Sequence, residues 1–205
     1  MTNNLEGERK YLKSCHKEFW KTVFEAEFEY LLQHLSGCRD ILSIGCGPAI
    51  IEKSLSKHGL NVTGLDISQN TLEQESDTFR VVLANAKSMP FKAYSFDAVI
   101  YVVSLQFIDD YRKSIEEAAR VLQKNGVIIV MLLNPKSSFF KNRFNNRNSY
   151  IHKTKHMELS EIENVISALF NIQTEYFLGI NKNSIFESRD ADYASLYVIR
   201  GIKKA

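Results

Sequence analysis

Two glycines and an aspartate carry the first chemical signal in this chain. Gly45 and Gly47 stand in "DILSIGCGPAIIEKSL", where a short apolar run meets the glycine pair and passes into a helix-forming stretch. Glycine adopts backbone conformations closed to other residues and lacks the Cβ that would hold a ligand away from the chain. A helix starting behind such a turn adds unpaired N–H groups facing the same place. Asp66 ends the next apolar run, in "NVTGLDIS". A carboxylate at the end of a second strand can accept both hydroxyls of a ribose in charge-assisted hydrogen bonds. It can equally cap a following helix. Loop and acid together, in this order, point to a nucleoside.

Three ligand classes compete for such a loop. A P-loop needs G-x-x-x-x-G-K-[ST], which is absent. The dinucleotide fingerprint G-x-G-x-x-G needs glycine or alanine at position 50, where Ile50 stands, and a β-branched side chain crowds the close helix–strand contact of that motif. This disfavours a nicotinamide-dependent oxidoreductase. An adenosyl ligand without a pyrophosphate needs no such approach and remains.

Strands and helices must position these residues. Trp20, Phe24, Phe28, Leu31 and Leu35 recur at helical spacing, with Gly37 as a stop. "DILSIG" reads as a strand, "PAIIEKSLSKHG" as a helix opened by Pro48 and closed by Gly59, and "NVTGLDIS" as a second strand followed by a short helix over "QNTLEQES". "FRVVLANA" and "SFDAVIYVVSL" read as the third and fourth strands. "DDYRKSIEEAARVLQKNG" reads as a helix with Asp109 or Asp110 at its start and Gly126 at its end, and "VIIVMLL" as a fifth strand covered on both faces. The alternation through about Asn134 predicts a parallel α/β sheet with right-handed crossovers. "ELSEIENVISALF" then reads as a helix capped by Ser160, and "NIQTEYFLGI" with "YASLYVIRGI" as an antiparallel pair.

Composition sets bounds on function. The 205 residues suit one domain, and 44% hydrophobic with 24% charged residues is ordinary globular composition. A net charge of +2 does not by itself imply nucleic acid. Three cysteines without a close pair suit a reducing cytosol. With no apolar run of membrane-spanning length and a polar start, "MTNNLEGERK", the chain reads as cytoplasmic, with no membrane partner.

Taken in order, "ILSIGCGPA", "GLDIS", "NAKSMPFKAYSFDAVIYVVSLQFIDD" and "EEAARVLQKNGVIIV" resemble the successive motifs of class I S-adenosylmethionine-dependent methyltransferases. The similarity is greatest to the small-molecule and quinone-biosynthesis-like group (methyltransferase type 11) and covers roughly residues 39–134. The resemblance implies a Rossmann-like three-layer α/β sandwich with a seven-stranded, mostly parallel sheet and one antiparallel strand, the last strand inserting beside the fifth. It implies S-adenosylmethionine as the cofactor. Gly45, Cys46 and Gly47 would pass beneath the methionine and ribose, Asp66 would bind the ribose hydroxyls, and Ile67 would pack on adenine. Asn85 and Ala86 would meet the adenine amino edge. Tyr101 and Val102 would line the methionine side, with Ser104 to Phe107 facing the reaction centre. On this basis the single domain divides into an N-terminal helical cap (1–37), a cofactor-binding core (38–134), a basic aromatic lid-like segment (135–157) and a closing helix with two strands (158–205).

Three positions depart from the family pattern. Asn85 replaces an aspartate but keeps a carbonyl acceptor. Ala49 replaces the third glycine, a mild change in a helix turn. Ser43 replaces the acidic residue before the first glycine, and a lost charged hydrogen bond is worth roughly 1.5–3 kcal/mol. Two outcomes are open: weak cofactor binding, or a compensating group from the N-terminal helix. "NPKS" at Asn134 to Ser137 follows the fifth strand rather than the fourth, so it reads as a strand exit, not an amino-methylating signature.

The expected reaction is methyl transfer to a small-molecule acceptor by in-line displacement, in which the protein aligns the reactants and excludes water. No base is obligatory for a deprotonated acceptor; His152 and His156 are the candidates if one is needed, and no metal is expected. Between Lys136 and His156 the chain carries Lys136, Lys141, Arg143, Arg147, Lys153 and Lys155 with no acidic residue, interleaved with Phe139, Phe140, Phe144 and Tyr150. This stretch is open to three readings: a packed surface loop, a lid over an anionic or aromatic small molecule, or an RNA-binding surface. A degenerate adenosyl-binding module without catalysis and an RNA-directed methyltransferase are the alternatives. The acceptor and the oligomeric state are not legible.

Overall fold

Five helices and eight strands are found among residues 17–68, 80–146, 149–182 and 184–204, which the computed structural model describes. In chain order they are α1 (Glu18–His34), β1 (Asp40–Ile44), α2 (Ile50–Lys57), β2 (Asn61–Asp66), β3 (Arg80–Leu83), β4 (Phe96–Val102), α3 (Tyr111–Val121), β5 (Leu122–Leu133), α4 (Ser138–Phe144), α5 (Leu159–Leu169), β6 (Phe170–Asn181), β7 (Ser184–Phe186) and β8 (Ala194–Lys203). Short 3-10 turns occupy Leu105–Phe107 and Tyr150–Lys153. The helix expected over "QNTLEQES" lies outside the described residues.

All strands join one sheet in the order β3-β2-β1-β4-β5-β8-β6-β7. β1 to β5 are parallel, and β8 enters antiparallel between β5 and β6. The expected insertion of the last strand beside the fifth is therefore present. The eighth strand, β7, pairs antiparallel with β6 at the sheet edge; three residues are too few to show a periodicity in the sequence.

The pleat divides the core into two layers because successive side chains point to opposite faces. Leu42, Val99, Tyr101, Val130 and Leu132 face α3 and α5, meeting Ile115, Ala118, Ile162 and Ile166. Ile41, Ile100, Ile129 and Met131 face the other way, onto Leu31 and Leu35 at α1, Ile51 and Leu55 of α2, and Phe140 of α4. On α1 the expected stripe buries Leu31 and Leu35 completely, while Trp20, Phe24 and Phe28 are half-buried.

Several boundaries fall elsewhere than the sequence suggests. α3 ends at Val121 rather than Gly126, because Leu122 already pairs with Phe96 of β4; the chain then bulges and re-enters the sheet at Val127, opposite Ala98. Asn125 takes the left-handed turn there, with φ 58°. Asp110, one of the two proposed caps, accepts from the Lys113 N–H at 3.1 Å. Ser160 lies inside α5, whose cap position is Glu158 without a side-chain bond. α2 starts at Ile50, two residues after Pro48.

Candidate functional site

Strand order reverses between β1 and β4, and in open parallel sheets the crevice at such a point receives ligands. The chain leaves β1 through Gly45 at φ +71°, Gly47 at +49° and Ala49 at +55°. Three left-handed residues in five make a tight exit, and Ala49 then accepts the first helical bond, from the Lys53 N–H at 3.1 Å. An alanine there is strained by roughly 1–2 kcal/mol, so the replacement of the third glycine is less mild than its place in a helix turn suggests.

Gly45 is required by contact as well as by φ. A Cβ on it would lie 2.6 Å from the Cβ of Ser104, beyond β4. The Ser104 hydroxyl donates to the Ile44 carbonyl at 2.5 Å, and the Gly45 N–H donates to the Leu65 carbonyl at 2.7 Å. Loops after β1 and β4 thus close on each other. Val103, just before Ser104, is held at φ 51°, a rare conformation for a β-branched residue. Such strain gathers at ligand sites, where neighbouring structure over-determines the backbone.

Asp66 closes the third side. Its Oδ2 accepts from the Gly47 N–H and its Oδ1 from the Ser68 N–H, both at 2.8 Å. Each carboxylate oxygen keeps a lone pair for an outside donor. Ile67 beside it is 73% exposed, more than any other large apolar residue described. A planar apolar ring laid over Ile67 would remove that surface from water. Asn85 begins the opposite rim, its Oδ1 accepting from the Lys87 N–H at 3.0 Å. Arg120 fixes this rim from α3, donating to the carbonyls of Met89 and Phe91 and pairing with Glu117, which accepts the Met89 N–H.

These elements enclose a cavity of about 380 Å³. Gly45, Cys46, Gly47, Asp66, Ile67, Asn85, Ala86 and Val102 all line it. Tyr101 does not. It is fully buried, and its hydroxyl bonds to the carbonyl and hydroxyl oxygens of Ser114 in α3. Alternation along β4 turns Tyr101 to the α3 layer and leaves Val102 at the site. Of the segment expected at the reaction centre, Ser104 and Phe107 line the cavity, whereas Leu105 and Gln106 are buried.

The missing acid at position 43 has a counterpart in α2. The Ser43 hydroxyl donates to Glu52 Oε1 at 2.6 Å, and Glu52, 3% exposed, lines the cavity. Glu27 of α1 is likewise buried, close enough for its charge to oppose that of Glu52. Burial and this repulsion push the Glu27 carboxyl up to about 8. Burial pushes Glu52 up to about 7, against the opposing hydrogen bond from Ser43. Burial, followed by the charges of Glu52 and Asp66, pushes the Cys46 thiol well up, so it is no nucleophile at neutral pH. Sequence reasoning missed both glutamates. The available signal was an acid at position 27 on the Val23–Glu27–Leu31 stripe, where an apolar residue belongs.

The lid-like segment docks by its backbone. Lys155 and His156 N–H groups donate to the Gln106 carbonyl, and Gln106 Nε2 donates to the His156 carbonyl at 3.1 Å. Phe140 and Ile151 are buried under it, and Phe139 packs on Trp20. Tyr150, stacked obliquely on Phe107 at 4.6 Å, and Lys155, paired with Asp109, reach the cavity. Neither candidate base does. His152 is exposed against Phe144, and His156 Nε2 lies 2.9 Å from the Ile108 carbonyl. Among the described residues no three His, Cys, Asp or Glu side chains gather to hold a metal, and no helix is long and apolar enough to cross a membrane.

Comparison with known proteins bears on what the cavity holds. Residues 42–130 match a family model described as a methyltransferase domain. The uncharacterized protein MJ0638 of Methanocaldococcus jannaschii is 30% identical over 153 residues, covering 75% of this chain and 67% of that protein. The demethylmenaquinone methyltransferase of Staphylococcus haemolyticus is 33% identical over 100 residues, covering 44% of this chain and 41% of that protein. The matches thus span two thirds or less of these relatives' own lengths. A SAM-dependent methyltransferase of Thermotoga maritima superposes with a TM-score of 0.77 at 22% identity, covering 96% of this chain and 98% of its own. Motif order, sheet order and these matches agree: the chain belongs to the class I S-adenosylmethionine-dependent methyltransferases, and its cofactor is S-adenosylmethionine.

Proposed function

We propose that the protein transfers the methyl group of S-adenosylmethionine to a small-molecule acceptor by in-line displacement. The observation that supports this most is the Gly47–Asp66 hydrogen bond beside the exposed Ile67, inside one cavity with Asn85. In this reading Asp66 holds the ribose hydroxyls, Ile67 carries adenine, and Asn85 with Ala86 meets the adenine edge. Gly45, Cys46, Gly47 and Val102 bound the methionyl arm.

The bound cofactor supplies an activated sulfonium leaving group. The protein aligns an acceptor atom opposite the carbon–sulfur bond and keeps water away, since alignment alone can supply a large share of the rate. Phe24, Val103, Phe107 and Tyr150 give the cavity an apolar wall suited to excluding water. His152 and His156 lie outside the cavity, so neither is placed to take a proton from the acceptor. Phe139 and Phe140 face inward, which favours a small acceptor over stacked RNA bases. The free thiols of Cys38 and Cys46 suit a cytoplasmic setting.

Titration calorimetry with S-adenosylmethionine and S-adenosylhomocysteine tests the reading, followed by transfer of a labelled methyl group to small-molecule pools. Absence of binding at millimolar ligand would end it. Transfer to RNA alone would replace the acceptor class.

A further inference from the structure

Among the described residues, Glu27 and Glu52 are buried carboxyls, and neither forms an ion pair with a cation. Glu52 accepts one side-chain bond, from Ser43, and no described side chain donates to Glu27. Burying acidic groups without a counter-charge is strongly unfavourable, and proteins tolerate it where a ligand completes the site. Glu52 faces the cavity, and Glu27 stands behind it on α1, one turn after the cavity-lining Phe24.

We propose that Glu52, backed by Glu27, receives the α-ammonium group of the cofactor's methionyl arm, supplying from α2 the negative charge that Ser43 does not carry on β1. The assignment rests on the methyltransferase reading above. Three features of the geometry point to it. Ser43 is the buried penultimate residue of β1, two positions before Gly45 of the turn. Its hydroxyl fixes the Glu52 carboxyl at 2.6 Å. Glu52 lines the same cavity as the Gly45–Cys46 turn, while the ribose and adenine roles fall in this reading to Asp66, Ile67 and Asn85.

The charged groups facing Glu52 are Glu27 of α1, Asp66 of β2 and Lys53 of its own helix, and the neighbouring Cys46 thiol is uncharged. Glu27 feels Glu52 as its charged neighbour. Near neutral pH the two carboxyls therefore retain a proton between them. An arriving ammonium favours the ionised form, and the proton leaves to solvent as the ligand binds.

The test compares S-adenosylhomocysteine with 5′-methylthioadenosine, which has the same adenosine and sulfur but no amino-acid arm, by calorimetry on the full chain. Glu52→Gln should weaken S-adenosylhomocysteine tenfold or more and methylthioadenosine less than twofold. Equal losses for both ligands, or none, would overturn the assignment while leaving the methyltransferase reading in place. A wild-type protein that binds neither ligand would remove that reading itself. The wild-type chain provides a check independent of any variant's folding. Its preference for S-adenosylhomocysteine should grow from about pH 5.5 to 7.5 as the pair ionises, with proton release detected across buffers of different ionisation heat. A flat preference would also overturn it. Glu27→Gln should leave this rise in place, because Glu27 holds its proton until Glu52 has ionised.

Discussion

Gly47 donates its backbone N–H to Asp66 Oδ2 at 2.8 Å, joining the turn after β1 to the end of β2 across nineteen residues of chain. The carboxylate thereby fixes the shape of the glycine turn before any ligand arrives, and its second oxygen holds Ser68 in the same way.

Asp66→Ala should therefore do two things at once. Affinity for S-adenosylhomocysteine should fall at least tenfold, because the ribose acceptor and the backbone anchor are both lost. Asp66→Asn keeps one carbonyl oxygen and should fall in between. Unchanged calorimetric affinity in the alanine variant would remove Asp66 from the site.

Gly45→Ala should destabilise the fold by about 2–5 kcal/mol, the sum of a left-handed alanine and an overpacked contact with Ser104. Ser104→Gly in the same chain should restore the contact part and leave the backbone part. A double-mutant cycle in urea denaturation reads the coupling; additive effects would show that the two loops do not press together.

Stability should fall as pH rises through the range set by Glu27 and Glu52. Both carboxyls have folded values, about 8 and about 7, above the ordinary 4.5, so the folded state holds protons that the unfolded chain has released. Their contribution is complete below about pH 4.5 and is lost as pH climbs to about 8. At about 1.4 kcal/mol for each tenfold change in proton affinity, the loss is at most on the order of 8 kcal/mol. Glu27→Gln should flatten the slope between pH 5 and 8 and stabilise the protein at the alkaline end. A wild-type unfolding curve independent of pH over that interval would contradict this account.

Arg120→Met should loosen the rim that carries Asn85. The Arg120 guanidinium holds the Met89 and Phe91 carbonyls at 3.0 and 2.8 Å. The expected loss is about 1–2 kcal/mol, discounted for partial exposure. Amides of residues 85–92 should exchange faster, and S-adenosylhomocysteine should bind several-fold more weakly. Unchanged exchange would show that the loop is held by other contacts.

Much of this was legible in the chain because it is local. The apolar strand meeting Gly45 and Gly47, the acid ending the second strand, and the regular alternation up to Asn134 each depend on residues adjacent in sequence. Backbone conformation at such positions follows from the residues themselves, so the sheet, the switch-point loop and the place of Asp66 could be read from them, while Ile67, Asn85 and Ala86 were singled out only by the family resemblance. The strand β7 and the end of α3 could not, because pairing with β6 and β4 decides them rather than periodicity.

Tertiary structure decided what depends on faces and on distant partners. Tyr101 and Val102 are neighbours in sequence, yet one is in the core and the other at the cavity. A pleat of period two assigns opposite faces, and only the packing of α3 fixes which is which. The basic lid was ambiguous for the same reason: its phenylalanines are packed inward, and Tyr150 and Lys155 reach the site only because Gln106 ties the segment down. The unanswered question at Ser43 was also of this kind. Glu52 reaches the Ser43 hydroxyl from α2 and Glu27 stands near it from α1, brought together by two helices, which leaves no mark at position 43 itself.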